Sequence, residues 1–480
     1  MPVAKTEYDA IVVGSGPNGL ATAILMQQQG LSVLLIEGQD QPGGGLRTQE
    51  LTLPGFKHDV CSAIHPLAEG SPFFETLPLS NYGLEYIFPQ IAAAHPFDDG
   101  SEATLQQSIT QTAATLGADA LVYQQLMAPL VKNWPLIAAD ALGPLSVPQH
   151  PLAMASFGLK GLQPATVLAK KFNTETAKGF FAGMAAHSIL PLNKIATSAI
   201  GLVLLANGHL KGWPLPKGGS QSIADALLAH FRFLGGALQT GTYITHLNQL
   251  PSAKAILFDI TPRQLLQITG HKFSSIYKWQ LERYRYGMGV FKMDWALDGP
   301  VPFKSAGARQ AGTVHLGGTF NEIALGEQQV WQGKHPEKPF VLVAQQSLFD
   351  PSRAPEGKHT AWAYCHVPAG STQDMTGIIE QQIERFAPGF KDLILARHTF
   401  NTHQMEEYNP NYIGGDINGG AIDIGQLFTR PVLRSSPYRT SAKGLYICSS
   451  STPPGGGVHG MCGYHAAKRA LRDVFNISLK

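Results

Sequence analysis

Short apolar runs and amphipathic stretches alternate along the chain, and the first forty-eight residues set the pattern. Tyr8–Val13 is an apolar run rich in β-branched residues, with the length of a buried strand. It ends at Gly14-Ser15-Gly16-Pro17-Asn18-Gly19. A helical pattern follows over residues 20–29, with Gly30 as its stop, and a second β-rich run over 31–36 closes on Glu37. The far end repeats the theme: a short strand over 444–448, a loop of serines and glycines, and a helical pattern over 465–475. Between these ends, residues 76–212 show helical patterning with few charges. Residues 272–425 contain alternating runs, Gly289-Val290-Phe291-Lys292-Met293-Asp294-Trp295 among them, that read as strands.

Composition narrows the class. Only 15% of the 480 residues are charged, and glycine (51) and proline (33) are abundant. A disordered chain would have few apolar residues and much net charge, whereas this one is 44% hydrophobic with a net charge of +2. A large, well-buried globular protein with many tight turns and two lobes fits. The balanced charge, with no Lys/Arg run, argues against a nucleic-acid partner. Cys61, Cys365, Cys448 and Cys462 show no C-x-x-C spacing, so neither a metal site nor dithiol chemistry is expected. Four cysteines in so long a chain are no disulfide framework, and a reducing, cytoplasmic setting is expected. A strand starting near Tyr8 leaves no room for a signal peptide. The longest apolar stretch, 195–206, is too short to span a bilayer and reads as a core helix.

The opening segment is strand, G-x-G-x-x-G, helix, strand, acid, the order a dinucleotide-binding βαβ unit needs. Gly14 permits the turn out of the strand. Gly16 lets backbone approach a pyrophosphate, and Gly19 lets helix and sheet pack closely. Pro17 and Asn18 open the helix, whose free N–H groups favour an anion. Glu37, followed by Gly38, can accept both ribose hydroxyls and would repel a 2′-phosphate, against NADP. Gly43, Gly44, Gly45, Leu46 and Arg47 come next. They resemble the glycines plus arginine that many FAD enzymes place along the pyrophosphate and ribityl chain. Near the end, Gly455, Gly457 and Gly460 form a second G-x-G-x-x-G, but no strand and ribose acid follow it, so it is not a second dinucleotide site.

Together, the G-x-G-x-x-G with its acid, the glycines with Arg47, and Pro453-Pro454-Gly455-Gly456-Gly457-Val458-His459-Gly460 resemble the phytoene-desaturase-like family of FAD-dependent oxidoreductases, which includes carotenoid desaturases and retinol saturases. Gly218-Gly219-Ser220-Gln221 and Gly414-Gly415-Asp416-Ile417 extend the resemblance. It implies an α/β fold: a Rossmann-type FAD-binding domain of the glutathione-reductase/amine-oxidase-like kind, with an inserted mixed α+β substrate domain. The FAD domain would comprise 1–75, 213–271 and 426–480, and the substrate domain 76–212 (largely helical) and 272–425. The resemblance implies adenine contacts at Tyr243 and Ile244, and flavin contacts at Ser450, Gly457, Val458 and His459. Two departures stand out. Ser449-Ser450-Ser451 replaces an acid common after the final strand, and the hairpin expected after Ile244 is cut short before Ala255.

The implied activity is hydride transfer between flavin N5 and an apolar, carotenoid- or retinoid-like molecule. Such chemistry needs a dry cavity and a route for a proton. His459 is the first catalytic candidate, followed by His65 and Asp416. Tyr412 and Tyr464 are candidates for an aromatic pair flanking the ring, and Cys448 and Cys462 for a covalent tether. A flavin amine oxidase is the alternative enzyme. A protein that holds FAD without catalysis and binds a partner is the alternative of another class. An apolar substrate would favour peripheral contact with a membrane, for which 195–206 is the only apolar stretch. The oligomeric state is left open.

Overall fold

The computed structural model describes residues 7–479; residues 1–6, on which the expectation of no signal peptide rests, and Lys480 lie outside it. Five strands form a wholly parallel sheet in the order Leu445–Ile447, Ala253–Phe258, Tyr8–Val13, Val33–Ile36, Ala237–Gln239. Their residues are near-continuously apolar because helices cover both faces of such a sheet. Val13 pairs with both Phe258 and Ile36, and Phe258 with Ile447. Gly14, Glu37, Asp259 and Cys448 therefore follow neighbouring strands at one carboxyl edge, where open parallel sheets bind ligands.

The helix after the first strand runs Pro17–Gln28, with proline at its start, where a missing N–H costs nothing. It packs against the C-terminal helix, Met461–Phe475, so the two chain ends share one domain. The approach is close: a Cβ at Gly463 would stand 1.9 Å from the Asn18 carbonyl oxygen. This last helix begins four residues before the expected 465. Ala237–Gln239 lies at the sheet edge, and the chain then turns through Leu247–Gln249 straight into Ala253–Phe258, which is where the hairpin looked cut short.

A seven-stranded sheet forms the other lobe, in the order Ile394–Phe400, Gly289–Leu297, His359–Val367, Val341–Ala344, Ala311–Leu316, Ile91–Pro96, Glu102–Gln106. The last two strands come from the segment expected to be largely helical, and Ile91–Pro96 runs parallel to its partner Ala311–Leu316. Both inserted segments thus build one sheet. Period-two alternation divides its faces. Phe291, Met293, Trp295, Val341, Val343, Ala363 and Cys365 pack under the helix Thr376–Phe386. Val290, Lys292, Asp294, Leu342, Trp362 and Tyr364 occupy the opposite face. Helices Ala120–Ala141, Pro151–Gly161, Glu175–Ala186 and Thr197–Leu210 belong to the same lobe. Leu202, Leu205 and Ala206 of the last are fully buried, so most of the apolar stretch 195–206 lies in a packed helix, as expected, while Ile195 precedes that helix and is exposed. Among the described residues no helix is long and apolar enough to cross a membrane.

Candidate active site

A cavity of about 380 Å³ runs from the carboxyl edge of the parallel sheet to the second face of the seven-stranded sheet. At its first end lie Gly14, Ser15, Gly16, Pro17, Asn18, Glu37 and Gly38, with Tyr243 and Ile244 from the segment beyond the edge strand. Gly14 has φ +99°, which glycine alone adopts readily. A Cβ at Gly44 would lie 3.0 Å from the Gly16 Cα, so the two glycine loops pack against one another and only bare backbone fits there.

Glu37 is fixed by four donors. Its Oε2 accepts from the Ser15 N–H (3.0 Å) and hydroxyl, and its Oε1 from the Gln39 N–H (2.9 Å) and Arg47 Nη2 (3.2 Å). Arg47 is buried, donates Nε–H to the Gln41 carbonyl at 2.7 Å, and stands 5.4 Å from the centre of the Tyr408 ring. Gly44, Gly45 and Arg47 line the cavity, and so do Ser450, Gly457 and Val458 of the C-terminal loop. Buried Arg430 holds that loop by donating to the Ser450 carbonyl at 2.8 Å.

Three residues assigned to the cofactor sit behind this surface. Leu46 is fully buried, and Gly43 is pressed against Ala224 and Gln221. Gly19 packs on the Gly14 carbonyl and gives its N–H to Asp259 Oδ2 at 2.9 Å. One N–H of the helix start is therefore already taken by a carboxylate of the chain itself. Burial pushes the Asp259 carboxyl up to about 7, opposed by its N–H bonds and assisted by the nearby Glu37 charge.

Of the three catalytic candidates only His65 lines the cavity. The Ser220 hydroxyl donates to the Ser62 carbonyl, so it accepts from His65 Nε2–H at 2.8 Å. Burial lowers the His65 pKa to about 4, leaving a neutral ring. His459 is off the cavity. Its Nδ1 accepts the Met461 N–H at 3.0 Å and its carbonyl accepts the Ser71 hydroxyl at 2.6 Å. The first bond satisfies an N–H at the start of the last helix and the second ties the loop to Ser71, so His459 shapes the loop while Gly457 and Val458 line the cavity. Asp416 is also off the cavity: its oxygens accept the N–H groups of Gly287 (2.7 Å) and Asn418 (2.8 Å), a turn-forming role.

Tyr412 lines the cavity, but Tyr464 packs on Phe73 with ring centres 5.1 Å apart, so the two do not form an aromatic pair. Cys448 and Cys462 are buried away from the cavity, and burial raises both thiol pKa values, which does not suit a tether.

The far end is mainly apolar: Leu204, Trp213, Val290, Leu342, Trp362 and Tyr364, with His187 and Thr313. Among the described residues its one cation is Lys292, 2% exposed and paired with Asp294 two residues along the same strand face. Burial lowers the Lys292 pKa and raises that of Asp294 to about 6. Asp294 Oδ1 faces His58 Nδ1 at 3.6 Å, and His58 Nε2 meets the half-buried Thr52 hydroxyl at 2.8 Å. Alongside, Asp59 pairs with Arg353 at 2.7 Å and accepts the Ser220 N–H at 2.8 Å. The arrangement brings the glycine-lined cradle and the mainly apolar chamber into one space. It also puts a proton-carrying group, Lys292, on the chamber wall.

Sequence reasoning missed Lys292, Asp259 and Tyr408. The signals were present: a lysine inside a nine-residue buried strand, and an acid ending a strand parallel to the one that Glu37 ends.

Comparisons with known proteins agree with this geometry. Residues 12–77 match the NAD(P)-binding Rossmann-like domain. Along 98% of its length the chain is 26% identical to mouse pyridine nucleotide-disulfide oxidoreductase domain-containing protein 2, of which 95% is covered. It is 22% identical to a limonene dehydrogenase component of Castellaniella defragrans (98% of the chain, 95% of the relative). It is 21% identical to a lycopene-forming phytoene desaturase of a Paracoccus species (96% of each). Among solved structures, a putrescine oxidase variant superposes with a TM-score of 0.63 at 16% identity over 98% of the chain and 99% of its own. The likeness to phytoene desaturases and the limonene dehydrogenase component holds along almost the whole chain, and the fold is shared with the putrescine oxidase.

Proposed function

We propose that the protein is an FAD-dependent oxidoreductase that takes hydride from, or returns it to, an apolar substrate. One observation carries the reading: a single cavity joins the cradle of Gly16, Gly44, Glu37 and Arg47 to the apolar chamber of Val290, Leu342 and Trp362. The residues fit FAD. The two glycine loops pack backbone to backbone with no room for side chains, Glu37 lines the cavity beside the glycine turn, and a second loop with Arg47 extends the cradle. When bound, the flavin supplies a two-electron, hydride-accepting ring.

The chain's own residues would do the rest. Gly14, Gly16 and the start of the helix Pro17–Gln28 receive the pyrophosphate, with Glu37 on the ribose and Tyr243 and Ile244 beside the adenine. Ser450, Gly457 and Val458 bound the flavin portion. The apolar wall excludes water and orients substrate. Lys292 Nζ holds a proton at the chamber, and Asp294 can take it. His65, neutral and tied through Ser220 to Asp59, orders the chamber wall. The apolar lining agrees with limonene and phytoene, which two relatives are named for.

A flavin amine oxidase is the second reading, favoured by the fold likeness and by the aromatic walls of Tyr408, Tyr412 and Trp362. Anaerobic mixing of FAD-loaded protein with limonene, phytoene or putrescine separates the two. Loss of the visible flavin band with a hydrocarbon is expected. Loss with putrescine alone would overturn the proposal in favour of amine oxidation.

A further inference from the structure

The far end of the chamber carries polar atoms that the chain itself does not use. Lys292, Tyr364, Leu342 and His315 stand directly opposite one another on four neighbouring strands, on one face of the seven-stranded sheet. Three strand spacings put the two ends of this row about 14 Å apart. Thr313 lies two residues before His315 and so shares its face. It lines the cavity, is 1% exposed, and its buried hydroxyl has no partner. His187, just after the helix Glu175–Ala186, also lines the cavity and meets His315, Nε2 to Nε2, at 2.9 Å.

The histidine pair has a definite polarity. Burial lowers the His187 pKa to about 3 and drives that of His315 well below its usual value, so both rings are neutral at physiological pH. One proton then lies between the two Nε2 atoms. His315 Nδ1 is buried without a partner. A buried N–H lacking an acceptor is the costlier orphan, so His315 leaves Nδ1 bare and donates Nε2–H to His187. His187 then carries its own proton on Nδ1, the nitrogen that makes no bond within the chain. This end of the chamber therefore offers two donors, His187 Nδ1–H and the Thr313 hydroxyl, among the apolar walls of Leu204, Trp213 and Leu342. The Trp213 Nε1–H is already spent on the Leu204 carbonyl at 3.2 Å.

We propose that His187 and Thr313 bind the carbonyl oxygen of an otherwise apolar ketone or aldehyde. A hydrocarbon fills the same walls but leaves both donors unpaired, away from water. Neutral donors suit a neutral acceptor. A carboxylate would call for a cation, and Lys292 stands at the other end of the row, paired with Asp294. Anchored at His187 and Thr313, the ligand lays its carbon skeleton along Leu342 and Tyr364 toward Lys292. The oxygen is thus a recognition group, and no bond to it changes. The ligand's role as substrate rests on the oxidoreductase reading, whereas the anchor is measured by binding alone.

The test is calorimetric titration of the full-length, FAD-loaded protein with limonene and with carvone, which is limonene bearing a ring carbonyl. Both should bind the wild type. Thr313→Val keeps the shape and removes the hydroxyl, so it should weaken carvone by about tenfold and move limonene by less than about threefold. Thr313→Ser should keep the wild-type preference. Without ligand, Thr313→Val should melt at or above the wild-type midpoint, because the lost hydroxyl has no partner in the chain. A hydroxyl that held the sheet together would lower that midpoint instead. No carvone binding to wild type, unchanged carvone affinity in Thr313→Val, or equal weakening of both ligands would overturn the proposal. So would a carvone preference lost in Lys292→Met but kept in Thr313→Val, which would seat the oxygen at the lysine. The expected binding pattern without flavin reduction by any substrate would count against hydride transfer and leave the carbonyl anchor in place.

Discussion

The carboxylate of Asp259 accepts the Gly19 N–H at 2.9 Å, placing a second acid beside the glycine turn that Glu37 already flanks. Burial, with Glu37 nearby, lifts its pKa from 3.8 to about 7. In the cofactor-free protein this group therefore lowers stability as pH rises from about 4 to 7, because the unfolded state ionises first. A bound pyrophosphate adds negative charge and favours the protonated form further. FAD binding should then take up a proton and weaken as pH climbs above about 7, by up to about tenfold per unit. Asp259→Asn should flatten that dependence. Fluorescence titration across pH checks both, and a flat wild-type profile would refute the coupling.

Glu37 is bonded by Ser15, Gln39 and Arg47 as well as being aimed at the cavity. Glu37→Gln keeps the shape but leaves the buried Arg47 without its charge partner. FAD affinity should fall by about ten- to a hundredfold, as for losing one or two charge-assisted hydrogen bonds. Isothermal titration calorimetry reads this directly, and affinity unchanged within error would place the ribose elsewhere.

Lys292 and Asp294 form a buried ion pair whose energy depends on both partners. Lys292→Met alone should cost about 3–5 kcal/mol, since it strands a carboxylate away from water, whereas Lys292→Met/Asp294→Asn should recover most of that. Urea unfolding of the two single variants and the double one measures the difference. Additive losses would show that the two side chains do not act as a pair.

His459 and Gly457 are two residues apart but have different work. His459→Ala removes the Met461 cap and should cost about 1 kcal/mol with FAD affinity unchanged. Gly457 has φ +123° and lines the cavity, so Gly457→Val should lower FAD affinity at least about tenfold. Paired melting and flavin-binding measurements distinguish them. Loss of flavin affinity in His459→Ala would restore the histidine to the site.

The nucleotide end was legible because local chemistry dictates it: Gly14, Gly16 and Glu37 are set by adjacent strands and a tight turn, and motif spacing carries that information. The far end was not, because it is assembled by pairing between distant strands. Lys292 and Tyr364 become neighbours only when Gly289–Leu297 pairs with His359–Val367, far along the chain. His459 misled for a related reason. A loop motif says that backbone approaches the ligand, but not which of two successive side chains turns inward to cap the next helix. The strand Ile91–Pro96 within 76–212 was hidden because it is short and rich in alanine, a residue with little strand preference.

Everything proposed above requires that the one cavity take up FAD. The most direct measurement is the flavin content of the purified full-length protein, before and after incubation with FAD and removal of the unbound fraction. A yellow protein with one FAD per chain is expected, lost in a Gly16→Val variant whose side chain would collide with the Asp259 carboxylate at the nucleotide end of the cavity. A correctly folded wild-type chain that neither retains nor takes up FAD would contradict it.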